Sequence, residues 1–136
     1  MNDEKHFTFA KEERVTGKRR IETLFAQGNS FMVYPFRVLY LERVRGSLAI
    51  ASILISVPKK KVRSAVQRNR VKRLAREAYR LNKHLLSPAA LREGRGIDIA
   101  FIYVKEEMTD YTTMEKGMRK ALSTLVVKLD KGKEIC

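Results

Sequence analysis

Apolar positions along the chain fall into blocks of two periods. Ile21, Leu24 and Phe25 recur at i, i+3 and i+4 and predict a helix over 18–27, with Gly28 placed to supply a left-handed C-cap. From 33 to 43 the period shortens to two. Phe36, Val38 and Tyr40 share one face of a predicted strand, and Arg37, Leu39 and Leu41 share the other. Pro35 sits near its start, where a missing N–H is tolerated. Gly46 marks a turn. Residues 48–57 are nearly all apolar, as in a strand covered on both faces, and Pro58 ends the run. A helical block follows over 65–86. After the breakers Pro88, Gly94 and Gly96 comes a third strand, 97–104. The last helix, 112–129, buries Met114, Met118, Ala121, Leu122, Leu125 and Leu129, and Thr112-x-x-Glu115 can form a capping box at its start. The order α-β-β-α-β-α predicts an α/β (α+β) sandwich, a small central sheet with packed helices. A length of 136 residues fits one domain, 1–136, with 1–8 and 130–136 expected as flexible ends.

The helix over 65–86 changes this picture from fold to function. At 100° per residue, Val71, Leu74, Ala75, Ala78, Leu81 and Leu85 fall within an arc of about 120°. Asn69, Lys72, Arg73, Arg76, Arg80 and Lys83 cluster on the opposite side, with Arg68 and Arg70 on the two shoulders. Between Lys59 and Lys83 there are eleven Lys and Arg and one acid, Glu77. These 25 residues carry +10 of the chain's net +14. A charge serving only solubility would be spread out; this one is a footprint for a polyanion. Like charges at i and i+4 cost an isolated helix roughly 0.2–0.5 kcal/mol per pair, which an anionic partner would relieve. Arginine dominates, and its planar fork can grip phosphate through two hydrogen bonds. Lys59, Lys60, Lys61 and Arg63 extend the patch to the helix N-terminus. A membrane surface fits less well, because the apolar face is mostly small and is needed by the sheet. No apolar run approaches the ~20 residues of a membrane span, and residues 1–16 do not read as a signal peptide.

Other residues narrow the chemistry. Phe25, Phe36 and Tyr40 sit where they serve either as core or as a platform on which single-stranded bases stack while cations track the backbone. The acids are scattered. Glu12-Glu13 and Glu106-Glu107 read as solvated pairs, and His6 and His84 have no evident partner. No protein catalytic residue and no metal site is expected. The single cysteine, Cys136, fits a reducing cytoplasm. A structural RNA-binding protein such as a ribosomal protein suits such a chain.

The stretch Val57-Pro58-Lys59-Lys60-Lys61-Val62-Arg63-Ser64-Ala65-Val66-Gln67-Arg68-Asn69-Arg70-Val71-Lys72-Arg73-Leu74-Ala75-Arg76-Glu77 resembles the signature of the bacterial ribonuclease P protein component. The likeness extends over the first helix, the Val38-Leu39-Tyr40 strand and the final helix. It implies a left-handed βαβ crossover, against the usual hand. It implies a subunit of an endoribonuclease in which a catalytic RNA, with Mg²⁺ bound mainly by that RNA, removes the 5′ leader from precursor tRNA. Carried over by position, Lys59, Lys60, Arg63, Arg68, Asn69, Arg70, Lys72, Arg73, Arg76 and Arg80 would contact the catalytic RNA. Arg14, Phe25, Phe36 and Tyr40 would line a leader cleft between the first helix and the sheet.

Overall fold

The computed structural model describes residues 13–46, 49–86, 91 and 93–135, with side chains through 130. Three helices, α1 (Lys18–Gln27), α2 (Ala65–Asn82) and α3 (Tyr111–Ile135), pack on a four-stranded sheet. Its strands are β1 (Asn29–Val33), β2 (Phe36–Val44), β3 (Ala51–Ser56) and β4 (Arg95–Tyr103), in the order β1-β2-β4-β3. β1 and β2 are antiparallel, as are β2 and β4. β3 runs parallel to β4, and α2 lies in the crossover between them.

Strand alternation divides the molecule into two unequal halves. Phe36 and Val38 of β2 and Ile97, Ile99, Phe101 and Tyr103 of β4 point to one face. There they meet Val71, Ala75, Ala78 and Tyr79 of α2 and Met114, Met118, Ala121, Leu122, Leu125 and Leu129 of α3. The other face is thinly covered. Leu24 of α1 packs on Leu39 and Ala100, with Leu41, Leu54 and Ile102 half-buried around them. α1 therefore crosses the sheet on the side away from α2 and α3.

The sandwich and all three helices match the reading of the sequence, with four differences. A short strand, β1, precedes the predicted one, so the order is α-β-β-β-α-β-α. Asn-Ser-Phe-Met-Val is too brief and too mixed to show period two, and the Tyr34-Pro35 turn separates it from β2. Gly28 is extended (φ −69°, ψ 150°), not left-handed. It is glycine because of crowding: a Cβ there would lie 2.5 Å from the Leu24 carbonyl oxygen and 3.2 Å from that of Tyr40. α3 is capped by Asp110, whose carboxylate accepts the Thr113 N–H at 2.9 Å, in place of the Thr112 box. Its hydrogen bonds from Thr113 hold the Asp110 carboxyl below its ordinary range. Finally, α3 continues to Ile135, so 130–135 is helical; residues 1–8 lie outside the described residues.

Phe36 shows how the larger half is held. Its ring is fully buried, edge-on to Phe101 at 5.5 Å and to Tyr103 at 6.4 Å. Phe36→Ala should therefore cost about 3–5 kcal/mol in urea unfolding at an unchanged m-value. A loss below about 1 kcal/mol would mean that the ring is not core.

Candidate nucleic-acid interface

α2 begins where Ser64 caps it, its hydroxyl accepting the Gln67 N–H at 3.3 Å. Its buried face comprises Val71, Ala75, Ala78, Tyr79 and Asn82. Leu74, Leu81 and Leu85, expected in the buried arc, are only half-buried. The buried face is thus rotated by about 50° from the apolar arc. Asn82 explains the offset. It lies near the middle of the buried face, but a polar residue there does not register as apolar periodicity. Its amide is fully engaged between helices, donating to the Ala78 carbonyl at 2.8 Å and to Glu115 Oε2 at 3.0 Å, and accepting from Arg119 at 2.8 Å.

The cations predicted to face RNA divide by what they touch. Asn69, Arg70, Arg73 and Arg76 are exposed on α2, as are Lys59, Lys60 and Arg63 before it, and Lys72 is half-buried. Among the described residues none of these cations is paired with an acid. Arg68 differs: its Nη1 donates to the Val62 and Arg63 carbonyls at 3.1 and 2.7 Å, closing the Lys59–Arg63 loop onto the helix. Arg80 makes a two-point pair with Glu77, at 3.1 and 2.6 Å. The Arg80 hydrogen bond holds the Glu77 carboxyl below its ordinary value. Lys83 binds Glu13 at 2.8 Å and so ties the incoming chain to the end of α2.

That incoming chain builds a second feature. Arg14 bridges in parallel to Ile53, and the Val15 N–H donates to the Ile53 carbonyl at 2.9 Å, covering the outer edge of β3. Between this segment and α2 lies a groove of about 400 Å³, lined by Arg14, Thr16, Leu54, Ile55, Lys72 and Arg76 with Val15 and Ile53 at its floor. Lys72 and Arg76 are one helical turn apart and point the same way; Arg73 and Arg70 turn progressively away from them, and Asn69 lies on the boundary, within about 20° of Arg76. Leu54 also belongs to the thinly covered face under α1, so the groove opens onto that face. α1 stands across it. With Leu24 pointing down, Arg20 and Thr23 lie on one flank of α1 and Ile21 and Phe25 on the other. Thr23 and Arg20 border Leu41, Arg43 and Asp98. The Ile21–Phe25 flank therefore looks toward the Leu54 and Ile102 end of the sheet.

The structure does not bring the three predicted aromatics together. Phe25 is 44% exposed on α1. Phe36 is core on the opposite face of the sheet. Tyr40 shares the Phe36 face, half-buried, with its ring edge-on to Phe31 at 5.9 Å; Phe31 in turn lies under Lys128 Nζ. Burial raises the Tyr40 phenol's pKa, helped by the Glu42 charge. The alternation of β2 was legible, but which face α1 would cover was not.

Sequence reading passed over one polar cluster. Asp98, in the middle of the sheet, is buried beneath α1. It accepts two hydrogen bonds from Arg20, at 2.9 and 2.7 Å, and one from Arg43 at 2.6 Å. Two guanidiniums around it leave no place for a metal ion. Among the described residues no three His, Cys, Asp or Glu side chains come together as a metal-binding group, and no helix is long and apolar enough to cross a membrane.

Comparison with known proteins agrees with this geometry. Residues 9–126 match the Ribonuclease P family model. The chain is 47% identical over 116 residues to the ribonuclease P protein component of Porphyromonas gingivalis strain W83, covering 85% of each chain. It is 34% identical over 110 residues to that of Chlorobaculum tepidum, covering 76% of this chain and 71% of the relative. In structure it is similar to the RNase P protein from Thermotoga maritima, with a TM-score of 0.65 and 26% identity over 82% of this chain and 96% of that one. The Staphylococcus aureus RNase P protein shares the fold with a TM-score of 0.66 at 20% identity, over 83% and 94%. A match over most of the chain, with a basic helix and a cationic groove on a shared fold, places this chain in the ribonuclease P protein component family.

Proposed function

We propose that this chain, as a subunit of ribonuclease P in tRNA 5′-leader processing, holds two RNAs on two sides of α2. The outward row, Arg70 and Arg73 with Lys59, Lys60 and Arg63, takes phosphates of the catalytic RNA, and Asn69 stands between the two rows. The inward row, Lys72 and Arg76 with Arg14, takes the single-stranded 5′ leader of precursor tRNA, and the Phe25 ring offers a base a stacking surface. Arg68 serves the first site by fixing the loop that carries the lysines. Arg80 stands beside it, paired with Glu77. Phe36 and Tyr40 take no part in the leader path. The observation that carries this reading is the groove: Lys72 and Arg76 turn away from the outward row and meet Arg14 over an apolar floor. Cations above apolar carbon suit a single strand, whose phosphates and unstacked bases are both within reach.

In this reading the bond is broken by the RNA partner and the Mg²⁺ that it binds. The most deeply buried acid among the described residues, Asp98, is neutralised by two arginines. The protein supplies fixed positive charge where two RNAs approach each other, which otherwise falls to dissolved Mg²⁺. The lone thiol, Cys136, suits the cytoplasm as the place of this work.

The two rows should separate by substitution. Arg70→Ala with Arg73→Ala should weaken binding to the catalytic RNA and flatten its dependence on salt by roughly 0.7–0.9 in log–log slope per lost phosphate contact. The ratio of precursor to mature tRNA affinity should hold. Lys72→Ala with Arg76→Ala should do the reverse. Equal effects of the two pairs on both RNAs would refute the division.

Cleavage of a precursor tRNA, measured across a Mg²⁺ titration, should be absent with protein alone, need high Mg²⁺ with RNA alone, and proceed at low Mg²⁺ with both. Specific cleavage by RNA-free protein would overturn the assignment of chemistry to the RNA.

A further inference from the structure

α1 is poorly equipped to hold itself in place. It has ten residues, below the ~12–15 at which isolated helices become even marginal. Its N-cap, Gly17, offers no side chain, and its first turn is Lys18-Arg19-Arg20, three cations at the positive end of the helix dipole. Leu24 is its one buried residue. A single leucine on a sheet fixes distance, but apolar contact is not directional, so it leaves the helix free to roll.

The direction comes from elsewhere. Arg20 presents its edge to Asp98 through Nε and Nη2, the planar two-point geometry that specifies orientation as well as attraction. Asp98 is itself held. Arg43 Nε donates to the same Asp98 oxygen that Nη2 of Arg20 uses, while Arg43 Nη2 donates to the Ala49 carbonyl at 2.9 Å and to Ser52 Oγ at 3.0 Å. The Arg43 guanidinium lies over Gly96, where any Cβ would collide with Nη1. One carboxylate on β4 thus joins α1, β2 and the start of β3. Arg20, Asp98 and Arg43 keep only 22%, 6% and 14% of their side-chain surface exposed. A pair this dry adds little net stability, but it can select one geometry among several.

We infer that Asp98 is a positioning residue for the leader path: through Arg20 it sets the roll of α1 and so the direction in which Phe25 faces. Arg20 and Phe25 lie on opposite flanks of the helix, so releasing the first turns the second away from the Leu54–Ile102 end of the sheet. This rests on the reading of the groove as the leader site, and the test keeps the two apart.

The test uses the full chain reconstituted with its catalytic RNA. Affinities for precursor tRNA, for mature tRNA and for the catalytic RNA are measured for Phe25→Ala, Asp98→Asn, Arg20→Lys and the double variant Phe25→Ala with Arg20→Lys. Phe25→Ala should lower the precursor-to-mature ratio at least about fivefold, the loss of one stacked base. No change there would refute the leader reading itself. Asp98→Asn and Arg20→Lys should lower the same ratio by a similar factor, with catalytic-RNA affinity within about twofold of the parent. Arg20→Lys keeps the charge and loses only the fork, so it remains informative should Asp98→Asn fail to fold. Once Phe25 is alanine, Arg20→Lys should have no further effect, because the two act through one ring. A normal ratio in a folded Arg20→Lys, or losses that multiply in the double variant, would overturn the positioning role while leaving the leader reading intact.

Discussion

Everything this protein presents to solvent on α2 depends on what α2 buries. The helix carries a run of cations that repel one another and, apart from Glu77, have no local compensation. Alone it would not be stable. Val71, Ala75, Ala78 and Tyr79 hold it against the sheet and α3, and Asn82 locks it to Glu115 and Arg119 on α3. Burial of one face thus keeps the charge of the other concentrated. It also fixes which cations point outward and which turn toward the edge of β3, where Arg14 waits. The two-sided use proposed for α2 would follow from packing, not from any difference in residue type between the two rows.

The reverse face of the sheet obeys a different economy of contacts. It is covered by one short helix resting on Leu24, and it leaves Leu41, Leu54 and Ile102 half-exposed. A fully packed face would be more stable but closed. The thin cover leaves an apolar surface that meets the cationic groove at Leu54, and the Arg20–Asp98–Arg43 cluster supplies the directional hold that hydrophobic contact on so small an area does not. In the proposed reading, affinity for RNA and the shape of the leader site come from opposite sides of the sheet, and β3, reached by both, joins them.

Much of this was legible in the sequence because it is local. The limits of α1 follow from Ile21, Leu24 and Phe25, and the charge asymmetry of α2 follows from counting. The alternation of β2 is plain from Phe36 to Leu41. What escaped is what requires a neighbour. Whether Phe36 or Leu39 faces α1 depends on which side of the sheet that helix crosses, and no residue of β2 encodes it alone. Asn82 does not register in the apolar pattern, and its partners are 33 and 37 residues away. Asp98 looked like one scattered acid among many, because Arg20 and Arg43 lie 78 and 55 residues off. Gly28 suggested a helix cap, whereas the crowding that requires it comes in part from the Tyr40 carbonyl.

The central claim is that the two sides of α2 meet different RNAs. It is tested most directly by a cleaving reagent tethered to one thiol at a time, in a Cys136→Ser background, with the protein assembled on its catalytic RNA and a precursor tRNA. Thr16→Cys places the reagent in the groove and Arg70→Cys places it on the outward row, both at exposed positions. The account predicts cuts in the 5′ leader from position 16 and cuts in the catalytic RNA from position 70. Leader cuts from position 70, or cuts confined to the catalytic RNA from position 16, would contradict it.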